Sequence, residues 1–169
     1  LVTGANTGIG KEIALSLASK GIKVFIASRS YDRTSPVIQT VEKMYGAHKC
    51  EWLFLDLESI KSIDSCADSF FEQNVPLDYL VNNAGFAWSR GLTKEGFELA
   101  FGVNYFGHYV LTRRLERALV RANNTREANV SSKAHSIIKK LDFASLRKPT
   151  KSLFGINEYA VSKLANILF

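Results

Sequence analysis

The chain opens on a strand, a tight turn and a helix that together carry three glycines, a combination few backbone arrangements accept. Leu1 and Val2 run into Thr3-Gly4-Ala5-Asn6-Thr7-Gly8-Ile9-Gly10, with the glycines four and then two apart. An amphipathic helix follows at once, Ile9, Ile13, Ala14, Leu17 and Ala18 on one face and Lys11, Glu12, Ser16, Ser19 and Lys20 on the other. Glycine at such a joint lets the backbone approach a phosphate that a side chain would hold away. The helix's first free N–H groups and its dipole favour an anion at the same point, so a pyrophosphate would fit. Tight strand–helix packing is the other reason for glycine here.

Downstream, apolar runs alternate with helical patterns. Gly21 closes the first helix, and Ile22 to Ala27 is β-branched and aromatic enough for a buried strand. In dinucleotide folds the residue about 20 positions past the glycines meets the adenosine ribose; an acid there selects a free 2′-hydroxyl, whereas an arginine can hold a 2′-phosphate. No acid sits at this strand end and Arg29 does, which leans the choice to NADP(H); a solvated loop position is the other reading. A weaker helical pattern covers 32–46, with Pro36 tolerable only in its first turn. Cys50 to Leu55 is the third strand and runs into Asp56-Leu57, and a helix from near Ser59 to about Gln73 makes capping one role open to Asp56. Asp78 to Asn82 is the fourth strand, ending in Asn83-Ala84-Gly85, small residues that suit a ligand lying across the sheet edge. Trp88 and Arg90 follow in a loop with no assigned role.

From Thr93 to about Arg121 the pattern is helical, interrupted around Gly102, with a short helix over Glu95–Phe101 and a longer one from Val103. Asn104 is polar inside this apolar pattern, as a satisfied core amide or a functional group; His108 reads as structural, and Arg113, Arg117 and Arg121 form a stripe typical of a solvated or partner-facing edge. The lead-in to the next strand, Asn124 to Val130, contains Glu127, which in a strand buried on both faces would have to be paired or protonated. Either the strand is short or its local sequence departs from a buried pattern.

With 169 residues and 46% apolar content the chain is read as one domain over 1–169 with a sizeable core. No apolar run approaches the roughly 20 residues of a membrane span, and no secretory signal is visible. Cys50 and Cys66 lack metal or redox spacing and read as reduced core thiols of a cytoplasmic or cytosol-facing protein, with no metal site. The net charge of +6 is compatible with nucleic acid, anionic membrane or a phosphorylated ligand and does not choose among them; scattered basic residues without a recognition motif argue against nucleic acid. Because Leu1 and Val2 are short for a strand and Phe169 falls within a helical pattern, the sequence reads as a piece of a longer chain, truncated at both ends.

The spacing Thr3-Gly4…Gly8…Gly10 resembles the cofactor loop of the short-chain dehydrogenase/reductase family, and four further stretches match that family in order. They are Asp56-Leu57, Asn82-Asn83-Ala84-Gly85, Asn104 within Gly102-Val103-Asn104-Tyr105-Phe106-Gly107, and Ser131-Ser132 followed by Tyr159-Ala160-Val161-Ser162-Lys163. The long segment between Ser132 and Tyr159, with Leu92 to Leu99 and Ser162 to Phe169, is similar to the subgroup of retinol dehydrogenases and the WW-domain-containing oxidoreductase.

The resemblance implies an α/β fold with a Rossmann-type doubly wound parallel sheet of core order 3-2-1-4-5 and reversible hydride transfer between NADP(H), preferred over NAD(H), and an alcohol or carbonyl, possibilities including retinoid and steroid. It implies a cofactor site of Gly4, Asn6, Thr7, Gly8, Ile9, Gly10 and Arg29, with Asp56 and Leu57 at the adenine and Asn83, Ala84 and Gly85 beside the ribose. Tyr159 is the implied acid/base and Ser132, matching the family's second serine, positions the substrate oxygen; alternation along a strand lets only one of the pair face the site. The resemblance likewise implies that Lys163 binds the nicotinamide ribose and tunes Tyr159, and that Asn104 kinks its helix and holds a water in a proton relay to the lysine. The chemistry agrees: four positions apart on a helix, Tyr159 and Lys163 share a face, and an ammonium beside a phenol favours the phenolate needed for general acid–base work near neutral pH. A homodimer through helices at 103–121 and 157–169 is the family's common pairing. Two other readings stand beside this one: a nucleotide-binding scaffold without turnover, which keeps the glycine loop but misplaces Ser132, and an inactive truncated product whose lost outer strands expose a long sheet edge.

Overall fold

The computed structural model describes residues 1–169. Strands β1 (Val2–Thr3), β2 (Val24–Ser28), β3 (Cys50–Phe54), β4 (Tyr79–Asn82) and β5 (Arg126–Asn129) form one parallel sheet of order β3-β2-β1-β4-β5, the expected order. Val2 is in register with Ile26 on one side and Val81 on the other, so even the two-residue β1 sits at the centre of the sheet.

Alternation along the strands divides the apolar side chains between two layers. Val24, Ile26, Val2 and Val81 pack against Ala14 and Ala18 of α1 (Gly8–Ser19) and Val37 and Val41 of α2 (Tyr31–Tyr45). Phe25, Ala27, Leu53 and Leu80 face Ile63 and Phe70 of α3 (Ile60–Glu72). They also face Leu111 and Leu115 of a helix whose regular portion, named α5 below, runs Gly107–Val120. A smaller third cluster joins Phe101, Leu146 and Ala165.

Three expectations need correcting. Pro36 lies in the second turn of α2, which starts at Tyr31; the Asp32 carbonyl that a residue-36 N–H would have reached accepts instead from Ser35 Oγ at 3.3 Å. Glu95–Phe101 is not a helix: residues 92–98 form a turn closed by a bridge between Leu92 and Glu98, and α4 spans only Leu99–Phe101. The helix is not interrupted at Gly102 either, because a π-helical stretch over Gly102–Phe106 carries it without a break into α5 (Gly107–Val120). A Cβ on Gly102 would lie 2.3 Å from Thr93 Cγ2, which makes this a packing glycine rather than a helix stop.

Glu127 is not buried. It is exposed on β5, the sheet's edge strand, and its Oε1 accepts from Asn82 Nδ2 at 3.2 Å and Thr112 Oγ1 at 3.1 Å. The strand is also short, as one of the two readings required. The segment after it carries 3₁₀ turns at Lys133–Ile137, Phe143–Ser145 and Leu153–Gly155, and α6 (Ile156–Ala165) ends the described fold. No helix is long and apolar enough to cross a membrane.

Candidate active site

Every strand exits into one cavity of about 610 Å³ at the carboxyl edge of the sheet. Gly4 follows β1, Arg29 follows β2, Asp56 to Glu58 follow β3, Asn83 to Ala87 follow β4, and Val130 to Ser132 follow β5. Tyr159 and Lys163 of α6 complete the wall. Of the site residues named from sequence, Asn6, Thr7, Ile9, Gly10, Leu57, Ala84 and Gly85 also line this space. Gly8 and Asn104 do not. Ile9, expected on the buried face of the first helix, is 67% exposed because it stands in the opening turn, beyond the sheet, and serves the cavity wall instead.

The glycine loop is shaped by close approach. A Cβ on Gly4 would stand 2.8 Å from the Ala84 Cα, and one on Gly10 would stand 2.4 Å from Asn83 Nδ2 and 2.7 Å from the Gly4 carbonyl oxygen. Asn83 Nδ2 donates to the Thr3 carbonyl at 2.9 Å, locking the turn after β4 onto the turn after β1. At the mouth of α1, Thr7 makes no side-chain cap and the first turn holds no acid, so the leading N–H groups keep their capacity to bind an anion. These features fit a dinucleotide phosphate, as does the size of the cavity.

Thr3, which opens the glycine motif, joins three segments. Its Oγ1 accepts from Asn83 N at 3.0 Å and Ala84 N at 2.9 Å and lies 2.8 Å from His108 Nε2. His108 Nδ1 lies 3.0 Å from the Asn104 carbonyl, which only accepts, so Nδ1 carries the proton and Nε2 takes the Thr3 hydrogen. Burial pushes the imidazole down to about 4, leaving it neutral at physiological pH.

Behind Gly85, the Asn104 amide is committed: Oδ1 accepts from Phe86 N, and Nδ2 donates to the Phe86 carbonyl and to Ser162 Oγ, each at 3.0 Å. Ser162 Oγ donates in turn to the Tyr159 carbonyl at 2.7 Å. The widened π-helical turn puts Asn104 where it can tie the loop after β4 to α6.

Both serines line the cavity and both lie past the end of β5, so alternation along the strand does not separate them; their hydrogen bonds do. Ser131 Oγ donates to the Lys163 carbonyl at 2.7 Å, whereas Ser132 Oγ only accepts, from Ala134 N at 3.2 Å, and retains its own hydrogen for another partner. Lys163 is 5% exposed, and burial pushes its ammonium down to about 8. Its Nζ donates to the Val130 carbonyl at 2.9 Å and sits 5.7 Å from the centre of the Tyr159 ring, with two of three donor hydrogens uncommitted to protein.

Toward β3, Asp56 does not cap α3. Ser59 does so, accepting from Ser62 N at 3.4 Å, while Asp56 Oδ1 accepts from Glu58 N at 3.1 Å within the turn. Glu58 Oε1 in turn lies 3.2 Å from Arg29 Nη1. Sequence reasoning missed Glu58, although its position two residues past Asp56 on the same strand exit was a usable signal.

Similarity to known proteins bears on the family and the fold. The family model described as short chain dehydrogenase matches residues 1–139. The chain is 39% identical to the WW domain-containing oxidoreductase of Gallus gallus over 176 residues, covering all of this chain and 42% of that protein. It is 38% identical to human retinol dehydrogenase 13 over 170 residues, again covering all of this chain and 51% of the relative. The chain thus spans about half the length of the curated relatives it matches. Among solved structures, a Mycobacterium paratuberculosis protein of uncharacterized function superposes with a TM-score of 0.81 at 32% identity, over 98% of this chain and 57% of that one. A metagenomic short-chain oxidoreductase crystallised in complex with NADP gives a TM-score of 0.75 at 26% identity, over 98% and 69%. Its ordered motifs, its 3-2-1-4-5 sheet and the matched family model all lead to one assignment: the chain belongs to the short-chain dehydrogenase family.

Proposed function

We propose that this chain supplies the cofactor-binding and acid–base portion of an oxidoreductase that moves a hydride between NADP(H) and an alcohol or carbonyl. The observation that carries the reading is the convergence of Ser132, Tyr159 and Lys163 with the glycine loop on one cavity. A bound nicotinamide cofactor supplies the hydride chemistry. Asn6, Thr7, Ile9 and Gly10 would cradle its phosphates, Asp56 and Leu57 would take the adenine, Asn83 to Gly85 would border the ribose, and Arg29 would meet a 2′-phosphate. Lys163 uses its free donors on the nicotinamide ribose and holds positive charge beside Tyr159. The Tyr159 hydroxyl gives or takes the proton at the substrate oxygen, toward which Ser132 donates its remaining hydrogen. Asn104 acts as a positioning residue for α6, through Ser162.

The substrate class is a small lipophilic alcohol or carbonyl, retinol-like by similarity to the named retinol dehydrogenases. Buried, unpaired thiols at Cys50 and Cys66 support a cytosol-facing setting. Pairing of two copies through 103–121 and 157–169 is supported by the aromatic cluster of Tyr105, Tyr109 and Phe169, with Tyr109 44% exposed; light scattering that returns a single-chain mass would end it.

The test combines binding with turnover. NADPH at about 100 times its dissociation constant should stabilise the chain by roughly 2.7 kcal/mol in thermal unfolding. Tyr159→Phe should keep that shift while lowering carbonyl reduction by at least about a thousandfold. An unshifted melting curve would remove the cofactor reading, and a variant that still turns over would remove Tyr159 from the chemistry.

A further inference from the structure

The acid missing from the end of β2 arrives from the exit of β3. Arg29 is the cation that would meet a 2′-phosphate, and its Nη1 lies 3.2 Å from Glu58 Oε1, with both residues lining the cavity. Glu58 is held there by its own backbone, because its N–H donates to Asp56 Oδ1 at 3.1 Å and fixes the turn. The pair occupies the β2–β3 side of the cavity, away from Ser132 and Tyr159 on the β5 side. It is therefore placed to act on the adenosine end without touching the reacting atoms.

We infer that Glu58 is a second determinant of cofactor choice, opposing the 2′-phosphate that Arg29 attracts and offering an acceptor to a free 2′-hydroxyl. This rests on the cofactor reading above. A guanidinium has five donors in a planar fork and can serve two anions, but a 2′-phosphate held by Arg29 would place its charge beside the Glu58 carboxylate. That like-charge contact subtracts from the affinity Arg29 provides. With a free 2′-hydroxyl the carboxylate accepts a hydrogen bond and Arg29 keeps its ion pair. Any preference for NADP(H) is consequently held to a modest factor, and the site admits both cofactors.

The experiment measures dissociation constants by fluorescence titration of NADPH and NADH, and by calorimetry of adenosine 2′,5′-bisphosphate and 5′-AMP, for the 169-residue chain and its Glu58→Gln variant. Glu58→Gln keeps the shape and removes the charge. It should tighten NADPH and the bisphosphate about fivefold, the scale of one partly exposed charge contact, while 5′-AMP stays unchanged and NADH weakens. Glu58→Ala should reproduce the gain for the bisphosphate, which separates loss of charge from a new amide contact. If wild type binds all four probes and neither variant changes the bisphosphate-to-AMP ratio, Glu58 is overturned and the cofactor site stands. If wild type binds none of them, the cofactor reading and this inference fail together.

Discussion

Arg29 and Lys163 bring positive charge to the same cavity, yet their surroundings are opposite. The Arg29 side chain is 67% exposed and faces a carboxylate; Lys163 is 5% exposed and has a carbonyl and an aromatic ring for company, with no acid in reach. A solvated ion pair contributes little to folding and can be altered freely, which suits a residue that selects among ligands. A desolvated ammonium costs stability, but a proton held at about 8 sits close to working pH, which suits acid–base chemistry. The Arg29 side of the cavity is thus adjustable at almost no cost to the fold, whereas the Lys163 side carries a standing penalty.

The sharpest way to break this contrast is Lys163→Met. Turnover should fall by about a thousandfold or more, the scale of losing a group needed in the transition state. Stability should rise by about 1–2 kcal/mol, because a buried charge is removed while the Val130 carbonyl keeps Asn166 Nδ2 as a donor at 3.0 Å. For a chain of this size that is several degrees in melting temperature. A lower melting temperature would mean that the ammonium supports the fold, and the contrast would collapse.

Next in size is an acid limb from His108. Its folded value, about 4, lies below the ordinary 6.5, so between these pH values the unfolded chain binds a proton that the folded chain refuses. Stability is whole above pH 6.5 and is lost as pH falls through that window, by on the order of 3 kcal/mol. Urea midpoints of wild type should show this decline over and above His108→Gln. Parallel curves would deny that the imidazole is held neutral.

The smallest effect belongs to Arg29→Ala, which should leave stability within about 0.5 kcal/mol while weakening NADPH relative to NADH. A larger loss on urea unfolding would show that the pair with Glu58 is structural.

Much of this was legible from spacing alone. The glycine loop and the Tyr159–Lys163 face depend on neighbours in sequence or on one helical turn, where residue type constrains geometry directly, whereas the strand order, a long-range property, followed from the family resemblance. Glu58 was missed, and the partner of Glu127 was not foreseen, because the groups they meet are 29 and 45 residues away, a separation that leaves no periodic trace. Sequence posed Glu127 as a charge that a strand buried on both faces would have to pair or protonate, or as the mark of a short strand, and the strand is short. The choice of Ser132 over Ser131 came from family resemblance, and the hydroxyl left uncommitted by the fold agrees with it. Pro36 was confined to a first turn by a rule about the lost N–H; Ser35 supplies the replacement donor, a local substitution that the rule does not count.

The π-helical turn at Gly102–Phe106 has a mechanical meaning of its own. Phe101 and its neighbours Phe97, Tyr105 and Phe106 pack with Leu146 and Ala165, while Leu111, Leu115 and Ala118 belong to the central core under the sheet. A helix repeats every 3.6 residues, so each residue added or removed rotates everything beyond it by about 100°. The widened turn is therefore a phase adjuster that lets one continuous rod address two differently oriented cores. Deleting one residue between 102 and 106 would restore a regular helix and turn one of those faces to solvent.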